Sequence, residues 1–393
     1  MERKALSPDE FHYDLPAEKI ADKPAEHREE AKLLHYHKGE IIDRAFSEVP
    51  GLLPANSQLI LNNTRVIHAR LFLYKPSGGR VEVFLLRPNN GTVEEAMTHQ
   101  GSSEWWCMVG GAKKWKEGLI STRNEVGEIH AEMLGREEEA FLLKLNWTPE
   151  AMSFAEVVDK LGQIPLPPYM DREPEEADAI RYQTTFAELP GSVAAPTAGL
   201  HFTEEILSEI PSEILKLTLH VSAGTFKPME VDNIHDHHMH DEECIVPIEV
   251  LQRLSEDVPR FAVGTTSLRT LESLYWLAEK RAKGNKDASS VTQHDPYEGE
   301  RVFEDFASAM KFLLQQLADQ GEKGIGFNTS LMISPGYEIQ SVQGIFTNFH
   351  MPKSTLLLLV SALIGEDWRK VYDHALSHDY RFLSYGDSSL LMP

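Results

Sequence analysis

The chain has 393 residues, of which 41% are hydrophobic and 25% charged, and a formal net charge of −23. That length exceeds what one hydrophobic core usually organises, so two domains are expected, and the composition excludes a disordered chain. The negative charge argues against a general nucleic-acid binder, and the two cysteines, Cys107 and Cys244, are too few for a disulfide framework or a thiolate metal site.

The first sixteen residues lack a hydrophobic signal core, and TLLLLVSALIG at 355–365 is half the length of a bilayer crossing. A cytoplasmic protein is expected. PAEKIADKP reads as a short helix, AKLLHYHKGEIIDRAF as two strands around a Lys-Gly turn, and SQLILNNTRV as a buried strand. From about 66 to 148 short strands are broken by Gly, Pro and Asn, the texture of a small barrel or sandwich. With α/β sequence on both sides, a β-barrel domain at 66–148 is expected to interrupt an α/β domain built from 1–65 and 149–393. Arg65, Arg70, Lys75 and Arg80 follow one another with no acid between them. They form either a solvated strand face or a surface for phosphates.

After 150 strands and helices alternate. FAEVVDKLG is a short helix, LKLTLHV a strand leading into SAGTF, and RFAVG a strand entering the helix TTSLRTLESLYWLAEKRA, capped by Thr or Ser. SLMIS is a strand before PGY, and GIFTNFH one before the capped helix in MPKSTLLLLVSALIG. This alternation predicts a three-layer α/β domain with a mostly parallel sheet. Residues 282–328 read as a surface insertion carrying its own docked helix. In such sheets ligands bind outside the carboxyl ends of the strands. The strand ends here carry His220 with Gly224 and Thr225, Gly264 with Thr265 and Thr266, and Asn348 with His350.

Among the candidate chemical groups, GSVAAPTAGLHFT at 191–203 has no charged residue and ends in His201. Its small side chains leave room for a bulky ligand, and Thr197 supplies a hydroxyl. His201, His220 and His350 are the candidate acids and bases. GTTSLRT at 264–270 suits an anion at a helix N-terminus, but there is no Walker loop and no dinucleotide fingerprint. HDHHMHDEE at 235–243 crowds four histidines without the i, i+4 frame of a zinc helix, so it reads as a polar loop at a substrate site and no metal is expected. No Gly-x-Ser-x-Gly elbow is present.

Taken together, the motifs resemble the S-adenosylmethionine:tRNA ribosyltransferase-isomerase family of queuosine biosynthesis. The resemblance rests on FHYDLPAEKIADKPAEHR, NNTRVIHARL, IPLPPYMDR, YQTTFAELPGSVAAPTAGLHFT, LTLHVSAGTFKP, HHMHDEE, AVGTTSLRTLES, PGY, TNFHMPKSTLLLLVSA and YRFLSYGDSSLL. It implies an α/β domain with an inserted barrel. It also implies transfer and isomerisation of the ribosyl part of S-adenosylmethionine onto the preQ1 base (7-aminomethyl-7-deazaguanine) at the tRNA wobble position, with release of adenine and methionine and formation of epoxyqueuosine.

Such chemistry needs a base for the C5′ proton, an acid for departing adenine, and groups for the ribose and the carboxylate. Thr265, Thr266, Ser267 and Arg269 suit the carboxylate or another anion, and Tyr169, Arg172, Tyr182 and Gln183 suit a base. Thr197, Gly224, Thr225 and Asn348 complete the expected substrate contacts. For tRNA the resemblance requires a local basic face, such as Arg65, Arg70, Lys75 and Arg80 with Lys113, Lys114 and Lys116, or Lys280, Arg281, Lys283 and Lys286. A monomer is expected. The chain departs from the family pattern at Asn63, His68, Ser222, Met332, Ile339 and Gln343. A divergent S-adenosylmethionine-dependent transferase with another acceptor is the alternative reading.

Overall fold

The apolar runs at 58–62, 260–263 and 344–348 become strands buried at every position, the pattern of a sheet covered on both faces. The computed structural model describes all residues except 1–4, 113–114, 116–117 and 223–228. Gly224 and Thr225, and Lys113, Lys114 and Lys116, therefore lie outside the described residues.

Four parallel strands form the middle of a ten-stranded sheet: Glu213–Leu219, Gln58–Asn62, Arg260–Val263 and Gly344–Asn348, in that spatial order. Beyond Gly344–Asn348 the antiparallel strand Ser388–Met392 is followed by Lys32–His37 and Glu40–Ala45. The last two are joined by a turn with Lys38 and Gly39 at φ 50° and 88°, the left-handed geometry that a tight hairpin requires. Side chains alternate between two cores. Ile60, Ala262 and Ile345 face helices Gly264–Ala282, Phe306–Gln320 and Thr355–Ile364. Leu59, Leu61, Phe261 and Phe346 face Phe46, Phe202 and Ile206 on the other side. The three-layer architecture with a mostly parallel sheet is therefore present.

The second body is a closed antiparallel barrel. Its six strands are Arg70–Tyr74, Arg80–Pro88, Ser102–Gly110, Ala140–Thr148, Glu128–Glu137 and Ile120–Arg123, and closure comes from the pairing of Tyr74 with Ser121. This closing pair distinguishes it from a sandwich. Helix Phe154–Leu161 plugs the barrel with Phe154, whose ring lies 5.2 Å from Trp105 and 5.3 Å from Trp147.

Three sequence expectations are corrected. Residues 282–328 carry the docked helix expected of them, Phe306–Gln320, but they also supply Ser290–Val291 and Gly324–Thr329 to one edge of the main sheet, and Phe306, Met310, Leu313 and Leu317 fill the helix-side core. The segment SLMIS is not a strand; the strand ends at Thr329, and Leu331, Met332 and Ile333 are buried as irregular chain. Helix Gly264–Ala282 has no side-chain cap, its N-cap being Val263.

Candidate functional site

The parallel strands all end at one edge, and there the chain opens a cavity of about 260 Å³. It gathers Ala194, Ala195, Thr197 and Ala198 from the uncharged stretch, Gly264, Thr265 and Thr266 from the helix start, and Thr347, Asn348 and His350 after Gly344–Asn348. Tyr169, Leu383 and Ser384 complete the opposite wall. No Asp, Glu, Lys or Arg lines it among the described residues. In a chain of net charge −23 such a neutral wall lowers the local dielectric and strengthens every polar contact made inside.

The helix start faces this cavity for a backbone reason. Gly264 has φ +89°, a conformation that favours glycine, and the turn carries the chain from strand directly into helix. The first-turn amides have no intrahelical acceptor and no side-chain cap, so they present partial positive charge to a ligand. Ser267 is not part of this surface: its hydroxyl donates to the Val263 carbonyl at 2.8 Å, beneath the turn.

Thr197 donates to Asn348 Oδ1 at 2.8 Å, fixing both on the wall. His350 Nε2 lies 2.8 Å from the Thr347 hydroxyl, and its backbone N–H donates to the Tyr372 hydroxyl at 3.0 Å. Burial holds the His350 imidazole far below its ordinary value, to about 3, so it is neutral at pH 7 with a lone pair to offer. Tyr169 is hydrogen-bonded to Ser384, and burial raises its phenol to about 12.

The other sequence candidates stand apart. His220 is buried at the barrel side of the sheet, 2.8 Å from the Thr64 hydroxyl, and burial lowers it to about 4. His201 belongs to a neighbouring small cleft. Burial is the largest influence lowering His201 to about 4, and the charges of Arg381, Arg28 and Arg181 act in the same direction. Arg269 joins Glu242, His237 and His240 in a second cleft, which meets the cavity at Leu356. It is ion-paired to Glu242 and donates to the Leu331 carbonyl at 3.1 Å, with Nη2 buried and unpartnered.

Arg172, Tyr182 and Gln183 serve the scaffold. Arg172 grips buried Asp178 at 2.7 and 2.8 Å, Tyr182 is fully buried against Tyr385, and Gln183 makes two bonds to the Val66 backbone at 2.8 and 2.9 Å. These two bonds leave one N–H and one lone pair of the Gln183 amide unused.

Of the basic candidates, Arg65 is exposed on the short strand Thr64–Val66. Arg70 and Arg80 stack on Phe72 with guanidinium carbons 5.1 and 4.6 Å from its centroid, Arg70 being paired to Glu82 at 2.7 Å. Lys75 opens the turn that follows. Lys280 and Lys283 are paired to Asp295 and Glu279 at 2.9 and 3.1 Å, Arg281 donates to the Ala288 carbonyl, and Lys286 is exposed.

Among the described residues, one group of His and acid side chains could share an ion, Asp43 with His374 and His378, and it lies outside the 235–243 loop. Ser384 and Leu383 escaped the sequence reading of the site, although they lie in YRFLSYGD, a motif already singled out. Glu272 escaped too. It is buried, and it accepts from Tyr337 at 2.6 Å and from the Gln340 and Ser341 amides at 3.0 and 2.8 Å, pinning the Pro-Gly-Tyr loop to the helix. Its signal was a single acid in the apolar run TLESLYWLA.

The fold and this edge cavity define an α/β enzyme with an inserted barrel and a neutral small-molecule pocket. The profile of the family described as queuosine biosynthesis protein matches residues 8–391. The S-adenosylmethionine:tRNA ribosyltransferase-isomerase of Dechloromonas aromatica strain RCB is 38% identical, covering 98% of this chain and 97% of that protein. The protein of the same name from Azoarcus sp. strain BH72 is 36% identical, with the same coverage. A solved structure, S-adenosylmethionine tRNA ribosyltransferase from Thermotoga maritima, is 26% identical, covers 98% of this chain and 100% of its own, and gives a TM-score of 0.46. The chain belongs to this family of queuosine-biosynthesis transferase-isomerases.

Among the described residues no helix is long and apolar enough to cross a membrane.

Proposed function

We propose that the central cavity holds S-adenosylmethionine as ribosyl donor and that the acceptor is the preQ1 base of tRNA, giving epoxyqueuosine with loss of adenine and methionine. The observation that carries this reading is that segments 194–198, 264–266, 347–352 and 383–384, each from a motif of the family resemblance, line one cavity. The bare amides of Gly264, Thr265 and Thr266 suit the methionine carboxylate, which carries the negative charge that such a helix end favours. Thr197 and Asn348 suit the ribose hydroxyls, and Tyr169, an aromatic ring on the cavity wall, suits a base.

His350 is the candidate proton acceptor at C5′. The sulfonium acidifies that C–H bond; burial keeps the His350 imidazole unprotonated but also weakens it as a base, so the role requires that the bound donor raise its proton affinity. Arg269, with an unused donor in the adjoining cleft, is the second candidate anchor for an anion.

The departures from the family pattern leave this cavity untouched. Asn63 bonds Glu188 and Thr218 at 2.8 and 2.6 Å, Gln343 accepts from the Arg260 amide at 2.7 Å, and His68 lies 2.9 Å from the Asp159 carbonyl. Ser222 and Met332 line the adjoining Arg269 cleft instead. Chromatography of reactions containing S-adenosylmethionine and preQ1-bearing tRNA tests the proposed acceptor: adenine and modified base should appear in equal amounts. Adenine without base modification would contradict the assigned acceptor.

A further inference from the structure

Arg28, Arg181 and Arg381 come from three distant segments, yet their side chains meet in one cleft of about 20 Å³, which touches the main cavity at Ser384. Three guanidiniums repel one another, so their convergence needs compensation. Inside the cleft it is incomplete. Arg28 donates to the Leu200 and Ile180 carbonyls at 2.7 and 3.0 Å, and Arg181 to the Glu26 and Ala25 carbonyls at 3.0 and 2.6 Å. These acceptors are neutral. The nearest acid to Arg381 is Asp387 at 3.8 Å, and Asp387 is already engaged by the Lys32 and Arg381 amides at 3.0 and 2.7 Å. Donors remain: Arg181 Nε is buried without a partner.

His201 supplies the second observation. It is 5% exposed, lines the same cleft, and its Nε2 is buried with no partner. A neutral imidazole carries one N–H and one acceptor nitrogen, so the unpartnered Nε2 can meet a hydroxyl in either role. A site with several cationic donors and one unpartnered imidazole nitrogen, with room for about one water-sized group, is complementary to an anionic oxygen with a hydroxyl beside it.

We infer that the Arg28–Arg181–Arg381 cleft is an anion subsite that seats one backbone phosphate of the RNA acceptor, with the neighbouring 2′-hydroxyl hydrogen-bonded to His201. This rests on the functional reading above. The methionine carboxylate is the other anion available, but the Gly264 helix end serves it inside the cavity. The tri-arginine cleft faces outward, with the Arg381 side chain 36% exposed, so a polynucleotide can reach it from solution. In an acidic chain it gives the RNA a local cationic foothold beside the pocket for its base.

The test measures filter binding of tRNA at several salt concentrations, and S-adenosylmethionine binding by calorimetry, for wild type, Arg381→Gln, Arg181→Gln and Arg381→Lys, each checked for folding by thermal melting. Loss of one charge-assisted phosphate contact should weaken tRNA binding about tenfold. The slope of log affinity against log salt should fall by about 0.7–0.9, with donor binding unchanged and much of the loss restored by Arg381→Lys. Folded Gln variants that bind tRNA as wild type does, with the same salt slope, overturn the subsite. So does weaker donor binding with unchanged tRNA binding, which assigns the cleft to the carboxylate. Wild-type protein that binds no tRNA overturns the functional reading as well, so the two failures are separable.

Discussion

His350 is the residue on which the proposed chemistry rests most directly. Its imidazole is buried on the wall of the cavity, neutral at pH 7 and fixed by Thr347 and Tyr372. His350→Gln keeps a polar group of similar size and removes the titrating nitrogen. We expect kcat for adenine release to fall by about 10²–10⁴-fold with little change in melting temperature, the usual range for a lost acid or base. A fall of less than threefold would remove His350 from the chemistry. Arg269 and Glu242 pose a different problem, since both are buried and paired. Glu242→Gln leaves Arg269 an uncompensated buried charge. It should cost about 3–5 kcal/mol in urea unfolding, while a double replacement by apolar residues should recover much of that loss.

At the level of elements, the start of helix Gly264–Ala282 joins fold to function. A Cβ at Gly264 would sit 3.4 Å from the Thr266 hydroxyl, at a φ of +89° that other residues rarely adopt. Gly264→Ala should cost about 1–3 kcal/mol in urea unfolding and raise KM for the donor, because the same turn aims the amides; an unchanged KM would detach the helix end from donor binding. Strand-then-helix order here was legible from RFAVG and its successor, because period and composition are local. The missing cap was not. Thr265, Thr266 and Ser267 look like capping residues, but the extended N-cap position falls on the last strand residue, Val263, which has no hydroxyl to offer. Residues 282–328 misled for a related reason: polar, turn-rich sequence says nothing of the edge pairing that Gly324–Thr329 makes with Glu242–Pro247. The site was legible as a set of strand ends. That His201 and His350 occupy different compartments depended on the turn at 197–201, which buries one face toward Arg28.

Across the whole molecule, burial has a pH consequence. His201 and His220 are lowered to about 4, and His350 to about 3, against an ordinary value of 6.5, so all three are neutral in the folded state where the unfolded chain takes up protons. Their contribution to stability is present above pH 6.5 and is lost as pH falls from there toward 4. Each contributes a slope of about 1.4 kcal/mol per pH unit in that window. Urea midpoints between pH 6.5 and 4.5 should therefore drop steeply, and His201→Gln should reduce the slope by the equivalent of one proton. A flat profile would mean that these rings are charged when buried. The neutral cavity adjoins an arginine–glutamate cleft at Leu356 and a tri-arginine cleft at Ser384. The most direct measurement is the ratio of adenine released to base modified when the protein meets S-adenosylmethionine and preQ1-bearing tRNA. The account predicts a ratio of about one, as coupled transfer from a single bound donor requires. Adenine release that proceeds equally well without tRNA, or no release at all, would contradict it.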